Sequence, residues 1–167
     1  VKRPEIGVLI EVPAAVYQAR LLAKEADFMA VGSNDLTQYL LAVDRNNPRV
    51  ADLYQEVHPA VISALREVAR AAHAEEKPLG ICGELAGTPA GAILLIAMGY
   101  HVLSMNATHL LRVKWVIRNI KRSDARRMLA RVLRMDTAEE VTAFLHKDMV
   151  RLGLSKVMPA RSTTQLH

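Results

Sequence analysis

Four short stretches of this chain end an apolar run on a polar or reactive side chain. "LIEVP" carries Glu11, "VGSND" carries Asn34 and Asp35, "GICGELAG" carries Cys82 and Glu84, and "LSMN" ends on Asn106. A carboxylate buried unpaired at the end of an apolar strand is costly to desolvate, so Glu11 calls for a cation. Asp35 adds a second carboxylate at the end of the next run. Two such groups on adjacent strands match a hard ion such as Mg²⁺, which takes one or two protein carboxylates and leaves room for water and substrate phosphate. Arg45, after "LLAVD", has the planar fork that suits phosphate; the alternative is a surface pair with Asp44 or Asp52. Cys82 is either a small core residue, the commoner fate of a lone cysteine, or a thiol at a ligand-binding rim. The two glycines bracketing Glu84 in "CGELAG" favour the rim. Any Asn-Asp pair can simply make a turn, so Asn34 and Asp35 gain meaning only from the elements that place them. Residues His58, His73, His101, His109 and His146 share no metal-ligand spacing and read as helix or loop residues.

Those elements are legible as periodicity. Residues 6–12, 28–32, 78–82 and 102–106 are short apolar runs bounded by polar, Gly or Pro residues, the pattern of buried parallel strands. Between them lie helical patterns over 14–26, 58–76 and 89–98, the last with Pro89 in its first turn and Gly99 as a stop. Further helices are expected near 109–120, 123–134 and 137–152. The alternation predicts an α/β fold with a parallel sheet, and it sets the four polar groups after four consecutive strands. In such folds ligands bind at the carboxyl ends of the strands, so the arrangement outweighs the turn reading. A doubly wound sheet is the alternative, but no glycine-rich phosphate loop follows any strand. A complete eight-unit barrel takes about 250 residues, so four βα units followed by C-terminal helices read as the second half of a TIM-type (β/α)8 barrel. The expected division is a half-barrel over 1–120, helices packed on it over 121–158, and a polar tail over 159–167. An open half-barrel exposes two strand edges, which predicts pairing with another copy, a homodimer.

Composition limits the function classes. A hydrophobic content of 51% fits a packed globular domain, and no apolar run approaches the roughly 20 residues of a membrane span. The start lacks a signal-peptide pattern and an initiator Met, which reads as a cytoplasmic chain cut from a longer one; a single cysteine agrees with a reducing compartment. The net charge of +5 is uneven: residues 112–134 hold nine Lys/Arg against one Asp, whereas residues 1–111 hold nine Lys/Arg against twelve Asp/Glu. A basic amphipathic helix can bind nucleic acid, but few aromatics accompany it to form a stacking platform. A solvated face is the commoner role, and nucleic acid is not an expected partner.

Taken together, "GVLIEVPAAV", "GSNDLTQYLLAVDR" and "GICGELAG" resemble successive signatures of the phosphoenolpyruvate-binding domain of the phosphoenolpyruvate-protein phosphotransferases, enzyme I of the bacterial phosphotransferase system. "LSMN" followed by a basic helix is more similar to the nitrogen-related branch than to the sugar branch. The resemblance runs from about Glu5 to Asn119. It implies a β/α barrel that binds phosphoenolpyruvate with Mg²⁺ and passes the phosphoryl group to a histidine on a separate N-terminal domain, from which a phosphocarrier protein receives it. By position, Glu11 and Asp35 resemble the Mg²⁺ ligands, Asn34 and Arg45 the phosphate contacts, and Cys82 the acid that protonates the departing enolate. The acceptor histidine and the arginines contributed by the first four barrel strands have no counterpart here, so this chain alone is expected to be inactive. Pyruvate phosphate dikinase and phosphoenolpyruvate synthase share the barrel and form the second enzyme reading; a non-catalytic regulatory module built on residues 112–134 is the third.

Overall fold

Gly7–Ile10 (β1), Phe28–Gly32 (β2), Leu79–Cys82 (β3) and Val102–Ser104 (β4) form one sheet in a computed structural model that describes residues 2–154 and Lys156. The order is β1-β2-β3-β4 and every pair is parallel, with Gly7 opposite Phe28, Met29 opposite Leu79 and Gly80 opposite Val102. Strands that pair in sequence order by right-handed crossovers set their connecting helices on one face. A doubly wound sheet would reverse its order, and this one does not. The expected α/β fold is therefore present, in the sequential form.

Burial along the strands follows the two-residue period of a sheet. Ile10, Met29, Val31, Leu79 and Ile81 are at most 2% exposed and join the core, whereas Leu9, Phe28 and Val102 on the opposite face are 49%, 39% and 59% exposed. One face of the sheet is packed and the other is open.

The packed face is covered by helices. Pro13–Tyr17 (α1) and Ala19–Glu25 (α2) replace the single helix expected over 14–26, broken at Gln18, whose φ of −100° and ψ of 6° leave the helical region. The buried positions Val16, Ala19 and Ala23 keep their spacing across the break, so periodicity could not register it. Ser33–Leu41 (α3) follows β2 with no loop between and ends on Ala42 in the left-handed region. A 3₁₀ turn at Ala51–Leu53 leads to Pro59–Ala74 (α4), capped by His58, whose Nδ1 accepts from the Ala60 N–H at 3.1 Å. The short Glu84–Gly87 (α5) was not legible as a helix. Pro89–Met98 (α6) starts and stops as its sequence predicts: the Thr88 hydroxyl accepts from the Gly91 N–H at 3.0 Å, and Gly99 closes it at φ 92°.

Ala107–Asn119 (α7), Arg122–Val132 (α8) and Ala138–Arg151 (α9) complete the described chain. "PAGAILLIAM" is apolar on nearly every side, so α6 must be enclosed. It packs against α7, α8 and α9, and Met128, Val141 and Leu145 join the same core as Ile93 and Leu94. The basic stretch is spread over α7 and α8. There Arg127 meets Asp124 and Asp148, and Arg131 lies 5.2 Å from the centre of the Phe144 ring, as a solvated helical face would have it. Residues 159–167, expected as a polar tail, lie outside the described residues. Among the described residues no helix is long and apolar enough to cross a membrane.

Candidate functional site

The rim at the carboxyl ends of the strands is built from a β2–α3 junction without slack. Because α3 begins at Ser33, Asn34 and Asp35 stand in its first turn rather than in a free turn. Ser33 is 1% exposed, and its hydroxyl donates to the Cys82 carbonyl at 3.0 Å, tying the end of β2 to the end of β3. Asn34 Oδ1 accepts from the Glu84 N–H at 3.0 Å. A backbone donor fixes which end of the amide is oxygen, so the Asn34 NH₂ is the end not engaged by Glu84. The Tyr54 hydroxyl donates to the Asn34 carbonyl at 3.3 Å and holds the same residue from behind. Gly83 completes the junction: its φ of 125° is glycine territory, and a Cβ there would strike Ser33 Oγ and Asn34 Oδ1.

On the β1 side, the carboxylate of Glu11 is laid across Gly32, where any Cβ would run into it. Glu11 is half-buried, so the desolvation argued from its apolar neighbours is partial. Its direction carries it toward the β2–α3 junction three residues before Asp35. Asp35 Oδ1 lies 4.0 Å from Arg45 Nη2, and both side chains remain open to solvent. The alternative reading of Arg45 is corrected here: it follows α3, and its carboxylate neighbour is Asp35 rather than Asp44 or Asp52, with Asp44 Oδ1 accepting instead from the Asn46 N–H at 2.9 Å. The chain reversal after α3, where Ala42 is left-handed and the Val43 and Arg45 N–H groups donate to Gln38, is what returns Arg45 to Asp35. Among the described residues no three His, Cys, Asp or Glu side chains converge. Two carboxylates such as Glu11 and Asp35 could serve only an ion that keeps most of its water, not a closed four-ligand zinc site.

Cys82 is exposed, its thiol donating to the Val31 carbonyl at 3.6 Å, so it is not the core residue that a lone cysteine more often is. It lines a cavity of about 580 Å³ together with Asn34, Glu84, Asn106, Glu56 and His109. The structure therefore joins Asn34 and Cys82 in one cavity, and keeps Glu11, Asp35 and Arg45 outside its lining. Sequence reasoning missed Glu56 and His109. His109 is in the first turn of α7, where its ring sits within 3.2 Å of the Cβ position that Gly87 leaves vacant. Its signal was the second glycine of "CGELAG". Glu56 had no local signal: burial, then the charge of Glu84, pushes its carboxyl up to about 7, and its Oε1 has no hydrogen-bond partner among the described residues. Burial, with Glu56 nearby, also raises the Tyr54 hydroxyl above its ordinary range.

A sequential parallel sheet with helices packed on one face and polar groups after its strands defines an α/β domain, a class in which ligands bind at the carboxyl rim. Residues 1–122 match the family described as PEP-utilising enzyme, PEP-binding domain, and this chain belongs to that family. It is 44% identical over 154 residues to the "Phosphoenolpyruvate-dependent phosphotransferase system" protein of Escherichia coli (strain K12), covering 92% of this chain and 21% of that protein. It is also 41% identical over 151 residues to the "Phosphoenolpyruvate-protein phosphotransferase" of Haemophilus influenzae, covering 90% and 26%. To the "Phosphoenolpyruvate-protein phosphotransferase" of Bacillus sp. (strain S) it is 43% identical over 143 residues, covering 86% and 25%. The chain spans about a fifth to a quarter of the length of these curated relatives.

Proposed function

We propose that this chain is the carboxyl-terminal part of a phosphoenolpyruvate-protein phosphotransferase, whose complete form binds phosphoenolpyruvate and passes its phosphoryl group to a histidine on an N-terminal domain, and from there to a phosphocarrier protein. The observation that carries the reading is that one cavity at the strand ends is lined by both Asn34, whose NH₂ is not engaged by Glu84, and the exposed Cys82. Three of the relatives' names support the same substrate and transfer. The open sheet face bearing Leu9, Phe28 and Val102 supports closure by further strands into a (β/α)8 barrel, with residues 1–120 as its second half and the later helices packed on it. The further assignment to the nitrogen-related branch rests on "LSMN" and the basic helix that follows it. A cytoplasmic homodimer is part of the proposal.

In this reading Asn34 and Arg45 bind and orient the phosphoryl group, and Arg45 balances its charge. Glu11 and Asp35 would hold Mg²⁺, which when bound offsets the negative charge that develops on the transferring phosphoryl oxygens. Positioning supplies most of the catalysis in such transfers. Once phosphorus has left, the enolate of pyruvate remains in the cavity, and the Cys82 thiol gives its proton to the methylene carbon. The S–H bond breaks, a C–H bond forms, and a thiolate stays behind. Cys82→Ala in the complete enzyme should therefore cripple turnover that starts from phosphoenolpyruvate and leave transfer from an already phosphorylated histidine to the carrier nearly intact. Measuring the two half-reactions separately checks this; equal loss in both would return Cys82 to a structural role.

A further inference from the structure

Glu56 stands between the 3₁₀ turn and α4, in the wall shared by two cavities. One is the rim cavity with Asn34 and Cys82; the other, about 530 Å³, is closed by Leu145 and Met149 of α9. A carboxyl oxygen excluded from water and left without a partner is an unstable arrangement for a carboxylate. Its titratable neighbours across these cavities are Cys82 of β3, Glu84 of α5, His109 of α7 and His146 of α9, with Tyr54 on its own segment. The nearest charge known to act on it is the like charge of Glu84. Such surroundings favour the neutral acid, which has one O–H to donate.

We propose that Glu56 serves the rim as a neutral carboxylic acid, donating a hydrogen bond to the anionic ligand that Asn34 also contacts, and that its ionisation ejects the ligand by like-charge repulsion. The inference rests on the assignment of the Asn34–Cys82 cavity to phosphoenolpyruvate. It adds a pH-dependent selectivity residue that no strand end supplies. The direction of the effect follows from the position of the titration, which burial and Glu84 raise to about 7: binding is strongest below that pH and falls above it.

The test is calorimetric titration of phosphoenolpyruvate, with Mg²⁺, into the full-length protein and its Glu56→Gln variant between about pH 6 and pH 8.5. Because a phosphate group itself titrates near pH 6, the readout is the ratio of the two affinities, in which the ligand's own ionisation cancels. The amide keeps the shape and a donor but cannot ionise. The ratio should be near one at the acid end and reach about tenfold in favour of the variant at the alkaline end. A ratio that does not change with pH overturns the proposal. Should Glu56→Gln fail to fold, Glu84→Gln carries the test: removing the like charge should move the midpoint of the affinity loss to lower pH, and an unmoved midpoint overturns the proposal equally. Failure of the wild-type protein to bind phosphoenolpyruvate at any pH would instead overturn the assignment of the cavity, and this inference with it.

Discussion

Gly83 shows how one residue without a side chain can hold a site together. Its φ of 125° and the contacts that a Cβ would make with Ser33 and Asn34 require glycine twice over. A substitution there strains the backbone and displaces the amide whose oxygen receives the Glu84 N–H. Gly83→Ala should cost about 1–3 kcal/mol of stability, seen as a lower melting temperature, and should weaken phosphoenolpyruvate binding by the complete protein. A variant with lowered stability but unaltered affinity would show that Asn34 is not oriented through this junction. The Gly32–Glu11 pair is built on the same logic: the glycine makes room for the Glu11 side chain at the end of the neighbouring strand.

At the scale of elements, the terminal helices are pinned by a charge cluster that includes Asp148. Arg151 donates to both of its oxygens at 2.8 and 2.9 Å, Arg127 of α8 approaches to 3.7 Å, and the Asp148 side chain is only 12% exposed. The Arg151 hydrogen bonds hold the Asp148 carboxyl below the usual carboxylate range against the opposing effect of burial, and the charges of Arg151 and Arg127 add to the lowering. A lowered folded-state value means that this contribution is present above the unfolded value of about 3.8 and is lost as pH falls through the folded one. Asp148→Asn should therefore lower the stability at pH 7 by about 1–3 kcal/mol. The deficit relative to wild type should shrink as the solution is taken below about pH 4. Thermal melts of both proteins across that range check it, and a deficit independent of pH would assign the loss to packing alone.

For the whole molecule, the consequential feature is a sheet covered on one side. Leu9, Phe28 and Val102 lie open on the other, and among the described residues β1 and β4 are its edge strands, each paired on one side only. Exposed apolar edges and faces invite pairing with another chain. The 167-residue chain, purified alone, should self-associate above the 18.5 kDa of a single copy in light scattering. A monodisperse monomer at high concentration, with ordinary thermal stability, would count against a half-barrel that expects a covering half.

The strands, their order of polar ends and most helices were legible because each depends on local patterning. Four apolar runs end where β1 to β4 end, to within a few residues, and Pro89 and Gly99 mark α6 by backbone constraints that act within one turn. Glu11, Asn34, Asp35 and Cys82 could be chosen as candidates for the same reason, since their types and their positions at strand ends are properties of the sequence, and Arg45 by its residue type and the motif that holds it. What the chain could not state locally was decided by packing between distant segments. Gln18 breaks a helix whose apolar spacing is unbroken, and the chain reversal at Ala42 after α3 brings Arg45 back to Asp35, a partner ten residues away rather than next door. Glu56 has no signal at all, because its character comes from burial against Glu84, which lies on a different element and meets it only once α5 and the segment before α4 share a wall. Sequence fixes which groups are available; the tertiary structure decides which of them lose water and what charge they then face, and those two quantities set their chemistry.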